Sequence, residues 1–180
     1  MPEDRSQPDG PTVKLHVAIF KSKAAHPAPD PLIYVSGGGG GNHLHSYQRY
    51  LDNGGYKILR NRDYIMYNQR GTRYNHPALE CPGFADLMRR QTWEGLSHEE
   101  RTAQNVAFLS ECFSDLRAEG INPLPYDSDD NAADLNDLRI ALGYEQVNLY
   151  GTSYGTRVIL GGDLNMGLTT SDPYYVERGN

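Results

Sequence analysis

The chain has 180 residues, enough to bury one sizeable core, and its 38% hydrophobic and 22% charged residues place it with globular domains rather than disordered chains. A net charge of -6 with no Lys/Arg cluster leaves little to exchange for phosphate counterions, which argues against nucleic-acid binding. No run approaches the roughly 20 apolar residues of a membrane span, and the start, MPEDRSQPDG, is too polar for a signal peptide.

Val13, Leu15, Val17 and Ile19 alternate with Lys14, His16 and Ala18, a period of two that predicts a half-buried strand from Val13 to Phe20. After the Pro-rich stretch His26 to Pro31, the apolar run Leu32 to Ser36 predicts a buried strand that stops at five glycines, Gly37 to Gly41. A short helix is expected over Leu44 to Leu51, then a strand over Tyr64 to Asn68 that empties into the polar loop Gln69 to Pro77. Ser97 and Glu100 form a capping-box signature, followed by Val106, Leu109, Phe113 and Leu116 as the apolar stripe of a helix ending at Gly120. A second helix is expected to start at Ser128 or Asp129, whose side chains can cap it, and to run through Leu135, Leu138 and Leu142 to Gly143. Val147 to Tyr150 reads as a strand and Tyr154 to Leu160 as the start of the next helix. Alternation of this kind predicts an α/β fold, a mostly parallel sheet with flanking helices.

The segment Gly151-Thr152-Ser153-Tyr154-Gly155 stands between a predicted strand and a predicted helix, the setting of a nucleophile elbow. A serine hydroxyl is a poor nucleophile until it is held exposed beside a base, and a sharp strand-to-helix turn holds it so. Gly151 and Gly155 fall where side chains would collide with the neighbouring strand and helix. The letters GxSxG alone are a weak signal; the setting makes Ser153 the candidate nucleophile. The run Gly37 to Gly41 offers unobstructed backbone N–H groups on a loop after an earlier strand, as an oxyanion hole requires, and the amides of Gly38 and Tyr154 are the candidate donors. Phosphate binding competes for such a run, but the P-loop lysine and hydroxyl are missing and Asn42, His43 and Leu44 block every placement of GxGxxG. A plain flexible loop is the other alternative. His43 and His45 form an H-x-H pair without an apparent third metal ligand and read as exposed loop histidines; His43 would need hydrogen-bond reach to Ser153 to act as its base. Trp93, Tyr47, Tyr50, Tyr174 and Tyr175 read as packing of the core or its rim. Two cysteines, Cys81 and Cys112, are compatible with a disulfide and equally with two buried thiols.

Several segments carry a resemblance when taken together and in order. They are Pro2 to Arg5 with Asp9-Gly10, PLIYVSGGGGG (Pro31 to Gly41), DYIMYNQRGT (Asp63 to Thr72), Cys81-Pro82, NAADLNDLR (Asn131 to Arg139) and LGYEQVNLYGTSYGT (Leu142 to Thr156). The chain resembles the tripeptidyl aminopeptidase and proline iminopeptidase branch of the serine α/β-hydrolases over roughly residues 2–160. The resemblance implies the α/β-hydrolase fold, Ser153 as nucleophile, Gly37 to Gly41 as the oxyanion loop, and Gln69-Arg70-Gly71 as a structural turn after a central strand. It implies hydrolysis of an N-terminal peptide bond or a related amide or ester, so the expected partner is a peptide or small amide or ester substrate. No metal or organic cofactor is implied. Exported members of the branch carry cysteine at the places of Cys81 and Cys112, which implies a disulfide closing a loop of about 30 residues and adding a few kcal/mol. Gly39 stands where the branch commonly has proline, which loosens the oxyanion loop, and Arg73 and Asn75 replace the usual glycine and serine, which predicts an altered turn.

Triad partners in this fold follow the serine in the order Asp or Glu, then His. All six histidines here, His16, His26, His43, His45, His76 and His98, precede Ser153. Asp163, Asp172 and Glu177 follow it, in a stretch that breaks at Gly161-Gly162, and none is assigned a triad role. The expected organisation is therefore an N-terminal part of an α/β-hydrolase domain over 1–160 and a divergent tail over 161–180, with C-terminal strands and cap missing. Two functions are open at this level: an aminopeptidase-type serine hydrolase acting through Ser153, and a catalytically inactive remnant lacking the triad Asp and His. Loss of the base alone costs several orders of magnitude in rate, because triad members act as a unit.

Overall fold

The computed structural model describes residues 1–38, 41–52 and 56–161; Gly39, Gly40, Asp163, Asp172, Tyr174, Tyr175, Glu177 and the expected tail beyond Gly161 lie outside the described residues. Four strands, β1 (Val17–Phe20), β2 (Leu32–Val35), β3 (Tyr64–Tyr67) and β4 (Asn148–Gly151), form one sheet in the order β1-β3-β2-β4. β2 runs parallel to both β3 and β4, with Ile33 opposite Ile65 and Leu149, while β1 pairs antiparallel with β3. A 3-10 turn at Leu44–Ser46 leads into α1 (Tyr47–Tyr50), followed by α2 (Tyr56–Ile58), α3 (Phe84–Trp93), α4 (His98–Ala118), α5 (Ser128–Ala141) and α6 (Tyr154–Gly161). This is the α/β arrangement that the alternation of elements predicts.

β2 and β3 read LIYV and YIMY, apolar without alternation, because both sheet faces are covered. On one face Ile33, Val35, Ile65 and Tyr67 pack with Leu135 and Leu138 of α5 and Val158 of α6. On the other, Tyr34, Tyr64 and Met66 pack with Leu51 and Leu59. The predicted strand from Val13 is shorter than expected. Its first half bonds elsewhere: Val13 N–H donates to the Met1 carbonyl, Lys14 exchanges hydrogen bonds with His76, and His16 N–H donates to Asn75 Oδ1.

α4 begins with the expected capping box, Ser97 and Glu100 each satisfying the other's backbone N–H. Its predicted apolar stripe is its contact face only in part: Leu116 is buried and Leu109 half-buried, while Val106 and Phe113 are exposed. The helix is held along the row Gln104, Phe108, Cys112 and Leu116, spaced by four. Gln91 of α3 donates to Gln104, Phe108 packs on Phe84, Cys112 is bonded to Cys81, and Leu116 is buried. α3 has no sequence signature of its own, because the residue at its cap is Gly83, which offers no side chain to the helix. At α5 the capping side chain is Asp127, which accepts from the amides of Asp129 and Asp130, and not Ser128 or Asp129 as expected. Asp127 sits outside the first turn with extended backbone, the conformation an N-cap requires.

The turn after β3 carries a buried guanidinium. Arg70 Nε and Nη2 donate to the two carboxylate oxygens of Asp134 on α5 at 2.7 and 2.6 Å, and Nη1 donates to the carbonyls of Glu3 and Pro125. Arg5 shares Asp134 at 2.6 Å and reaches Asp137 at 3.0 Å. Tyr126 lies against Arg70 and donates its hydroxyl to the Glu3 carboxylate. Charges taken out of water this completely persist only when their hydrogen bonds are met, as they are at Arg70 and Asp134. Arg5 Nε, by contrast, is buried without a hydrogen-bond partner among the described residues. Asn75, one of the three residues that depart from the branch pattern, gives the same turn its shape: its amide donates to the carbonyls of Asn68 and Gln69 at 3.1 and 2.6 Å.

Arg70→Met is expected to lower the unfolding free energy by about 3–5 kcal/mol in denaturant titrations, because Asp134 stays buried without its bidentate partner. Arg70→Lys should recover less than half of that, since an ammonium cannot span both oxygens.

A second pair of carboxylates ties the opposite end of the sheet. Asp30, ahead of β2, accepts from Arg62 and Asn148, and Asp63, ahead of β3, accepts from Lys21, the Ser22 amide and Tyr144. Partial burial pushes both carboxyls up. Hydrogen bonds outweigh it, from Asn148 and the backbone at Asp30 and from Lys21, Ser22 and Tyr144 at Asp63, with help from the Arg62 and Lys21 charges, so both titrate below their ordinary value of 3.8. A carboxyl with a lower pKa folded than unfolded adds stability that is complete above the unfolded value and is lost as pH falls through the folded one. Thermal melts from about pH 6 down to about pH 3 should therefore show a steep acid limb, flatter in the Asp30→Asn/Asp63→Asn variant, which also starts from a lower Tm.

Candidate active site

β4 delivers the chain to Ser153, and the Thr152 N–H still bonds to the Val35 carbonyl at 3.2 Å, so the ladder persists to the residue before it. Ser153 then takes φ 50, a left-handed conformation that costs a non-glycine residue about 1–3 kcal/mol and needs surrounding structure to hold it. Gly155 N–H to the Thr152 carbonyl at 2.9 Å and Thr156 N–H to the Ser153 carbonyl at 3.0 Å close the turn into α6. Ser153 is exposed while Gly155 and Val158 behind it are buried. The serine thus sits at the crest of a turn whose base is packed against the sheet.

Close approach at two glycines makes the turn possible. A Cβ on Gly155 would lie 2.1 Å from the Val35 carbonyl oxygen, and one on Gly37 would lie 2.8 Å from the Thr152 carbonyl oxygen and 2.9 Å from Ser153 Cβ. The glycine loop after β2 therefore rests directly on the elbow, which brings the predicted Ser153 and the first of the predicted oxyanion glycines into contact. Gly38 has φ 65, and no atom of the described residues beyond its chain neighbours lies within 4 Å of where its Cβ would be. Tyr154, the other predicted donor, is the first residue of α6, where N–H groups have no partner within the helix and carry its positive dipole end. Gly39 lies outside the described residues.

Three side-chain contacts surround this site. Tyr34 Oη and Thr152 Oγ1 lie 2.9 Å apart, linking β2 to the elbow. Gln69 donates from Nε2 to the Ser36 carbonyl at 3.1 Å, linking the turn after β3 to the residue before the glycine loop. His43 Nε2 lies 3.1 Å from the Gly37 carbonyl. His43 is half-buried rather than exposed as expected, because it folds back over the glycine loop; His45 is exposed. Among the described residues none hydrogen-bonds to Ser153 Oγ, and none form a group of three or more His, Cys, Asp or Glu able to hold a metal. Cys81 and Cys112 are joined by a disulfide. Trp93 is exposed on the surface, while Tyr47, also exposed, stacks on Phe20 at the rim of the core that holds Tyr64.

A family profile described as the alpha/beta hydrolase fold matches residues 30–160. The chain belongs to the alpha/beta hydrolase fold family. The match runs from just before β2 to the end of α6, so it takes in both the glycine loop and the elbow of this α/β-hydrolase. The chain is also similar to the serine protease Hip1 of Mycobacterium bovis and that of Mycobacterium tuberculosis, each 26% identical over 166 residues. That alignment takes 88% of this chain and 31% of each relative, so the α/β-hydrolase chain spans less than a third of their length.

Gly155→Ala is expected to push α6 off β2 and to cost at least about 3 kcal/mol, since the colliding atom is a strand carbonyl that cannot rotate away. Gly38→Ala meets no atom and should cost only the conformational penalty, about 1 kcal/mol. Paired denaturant titrations of the two variants measure the difference.

Proposed function

We propose that the chain carries the nucleophile of a serine hydrolase of the aminopeptidase type, acting on N-terminal peptide bonds or related amides and esters. In this reading Ser153 Oγ attacks the scissile carbonyl carbon and gives up its proton to a base. The amides of Gly38 and Tyr154 receive the oxyanion, and collapse expels the amine with a proton returned to it. Water then hydrolyses the acyl-enzyme. The observation that carries the proposal is the left-handed Ser153 at φ 50, packed against Gly37 at the junction of β4 and α6. A strained, exposed serine over a glycine loop is what acyl transfer needs and what a structural turn does not. The similarity to proteins named serine protease supports the peptidase class. The aminopeptidase type rests on the resemblance of the segments around Arg70 and Ser153.

One observation favours a second reading, a hydrolase scaffold without turnover. His43, the histidine beside the glycine loop, directs Nε2 to the Gly37 carbonyl. A fluorophosphonate probe and aminoacyl arylamides separate the two. The hydrolase reading expects covalent labelling that maps to Ser153 and disappears in Ser153→Ala, with arylamide turnover lost in the same variant. Neither labelling nor turnover would leave the scaffold reading standing for this chain.

A further inference from the structure

We propose that His43 is a positioning residue for the oxyanion hole, one that fixes the orientation of the peptide whose N–H belongs to Gly38; this rests on the reading of that amide as an oxyanion donor. A carbonyl oxygen can only accept, so the 3.1 Å contact between His43 Nε2 and the Gly37 carbonyl requires a proton on Nε2. The Gly37–Gly38 peptide is trans, which points its C=O and its N–H in opposite directions. Holding the Gly37 carbonyl on one side therefore aims the Gly38 N–H to the other.

Such a hold matters because the loop is built of glycines. Glycines lose more freedom on ordering than any other residue, and a run of them does not fix its own peptide planes. An oxyanion donor stabilises a transition state only when it is already aimed. The imidazole itself is braced. Its ring meets the Tyr34 ring edge-on at 6.0 Å, and Tyr34 reaches the elbow through Thr152 Oγ1. A Cβ on Gly41 would fall 2.6 Å from His43 Nε2, so glycine at that position leaves room for the imidazole over the loop. Gly37, Thr152, Tyr34 and His43 thus form a closed circuit of contacts around the serine. The same geometry removes His43 Nε2 from the role of base, because its proton is committed to Gly37.

His43→Phe keeps a ring against Tyr34 and removes the donor, whereas His43→Gln keeps an N–H at nearly the same reach. Phosphonylation of Ser153 by the fluorophosphonate should slow about tenfold in His43→Phe, a part of the 10²–10³-fold effect of removing one oxyanion donor outright, and should recover at least half of that in His43→Gln. Melting temperatures of the two variants should agree. Equal rates in both variants, or a rate loss that follows the melting temperature, overturns the proposal. A wild-type chain that is not labelled at all sinks the hydrolase reading, and the positioning claim is then decided by NMR alone. Imidazole nitrogen shifts of the Nε2–H tautomer, with a displaced Gly38 amide resonance in His43→Phe and its return in His43→Gln, support it. An Nδ1–H tautomer or an unmoved Gly38 resonance refutes it.

Discussion

The buried contact between Arg70 and Asp134 is the constraint on which the rest of the structure depends. It joins three parts of the chain that are distant in sequence: the N-terminal segment, through the carbonyls of Pro2 and Glu3 and the side chain of Arg5; the turn after β3; and α5. α5 in turn packs with α6 and the sheet through Leu135, Leu138 and Val158. Whatever sets the position of α5 therefore sets the floor on which the elbow stands. Gln69, the neighbour of Arg70, extends the same turn to Ser36 and so to the glycine loop. A buried pair of this kind is a poor source of net stability compared with an apolar replacement, but breaking it on one side leaves a charge with no water. Its contribution is to arrangement.

Arrangement matters because the elbow is locally unfavourable. The conformation of Ser153 and the backbone approach at Gly155 and Gly37 would relax if the surrounding elements could move apart. They cannot do so separately, since β2 holds the elbow through the Val35 carbonyl and through Tyr34, while α6 is wedged by Val158. Strain at the serine is thus maintained by the packing of the sheet and α5 rather than by the turn residues themselves.

What could be read from the sequence follows from how local its cause is. LIYV and YIMY announce buried strands because burial on both faces needs an unbroken apolar run, and GTSYG announces an elbow because its glycines answer to steric limits two residues away. The capping box at Ser97 is equally local. The face of α4 is only half legible, because Val106 and Phe113 satisfy the same helical period as the buried Leu116 while lying on the exposed side, and the face in use depends on where α3 and Cys81 are. Asp127 is not singled out as the cap by sequence because four acidic or hydroxyl residues stand in a row, Asp127 to Asp130, and backbone conformation chooses among them. The pairing of Arg70 with Asp134 spans 64 residues and nothing near either one encodes it. The contact of His43 with Gly37 is short in sequence, yet it depends on a reversal of the glycine loop that its composition permits without specifying.

The Cys81–Cys112 disulfide encloses α3 and most of α4 within one covalent loop, and that loop contains neither the elbow nor the Arg70 cluster. α3 and α4 make their main packing with each other, through Phe84 and Phe108 and through Gln91. The crosslinked helical hairpin thus has contacts of its own, apart from those of the sheet with its two covering helices. Thiol exchange acts on the first, so a change of redox poise would loosen the periphery while the geometry at Ser153 stays under the control of the second.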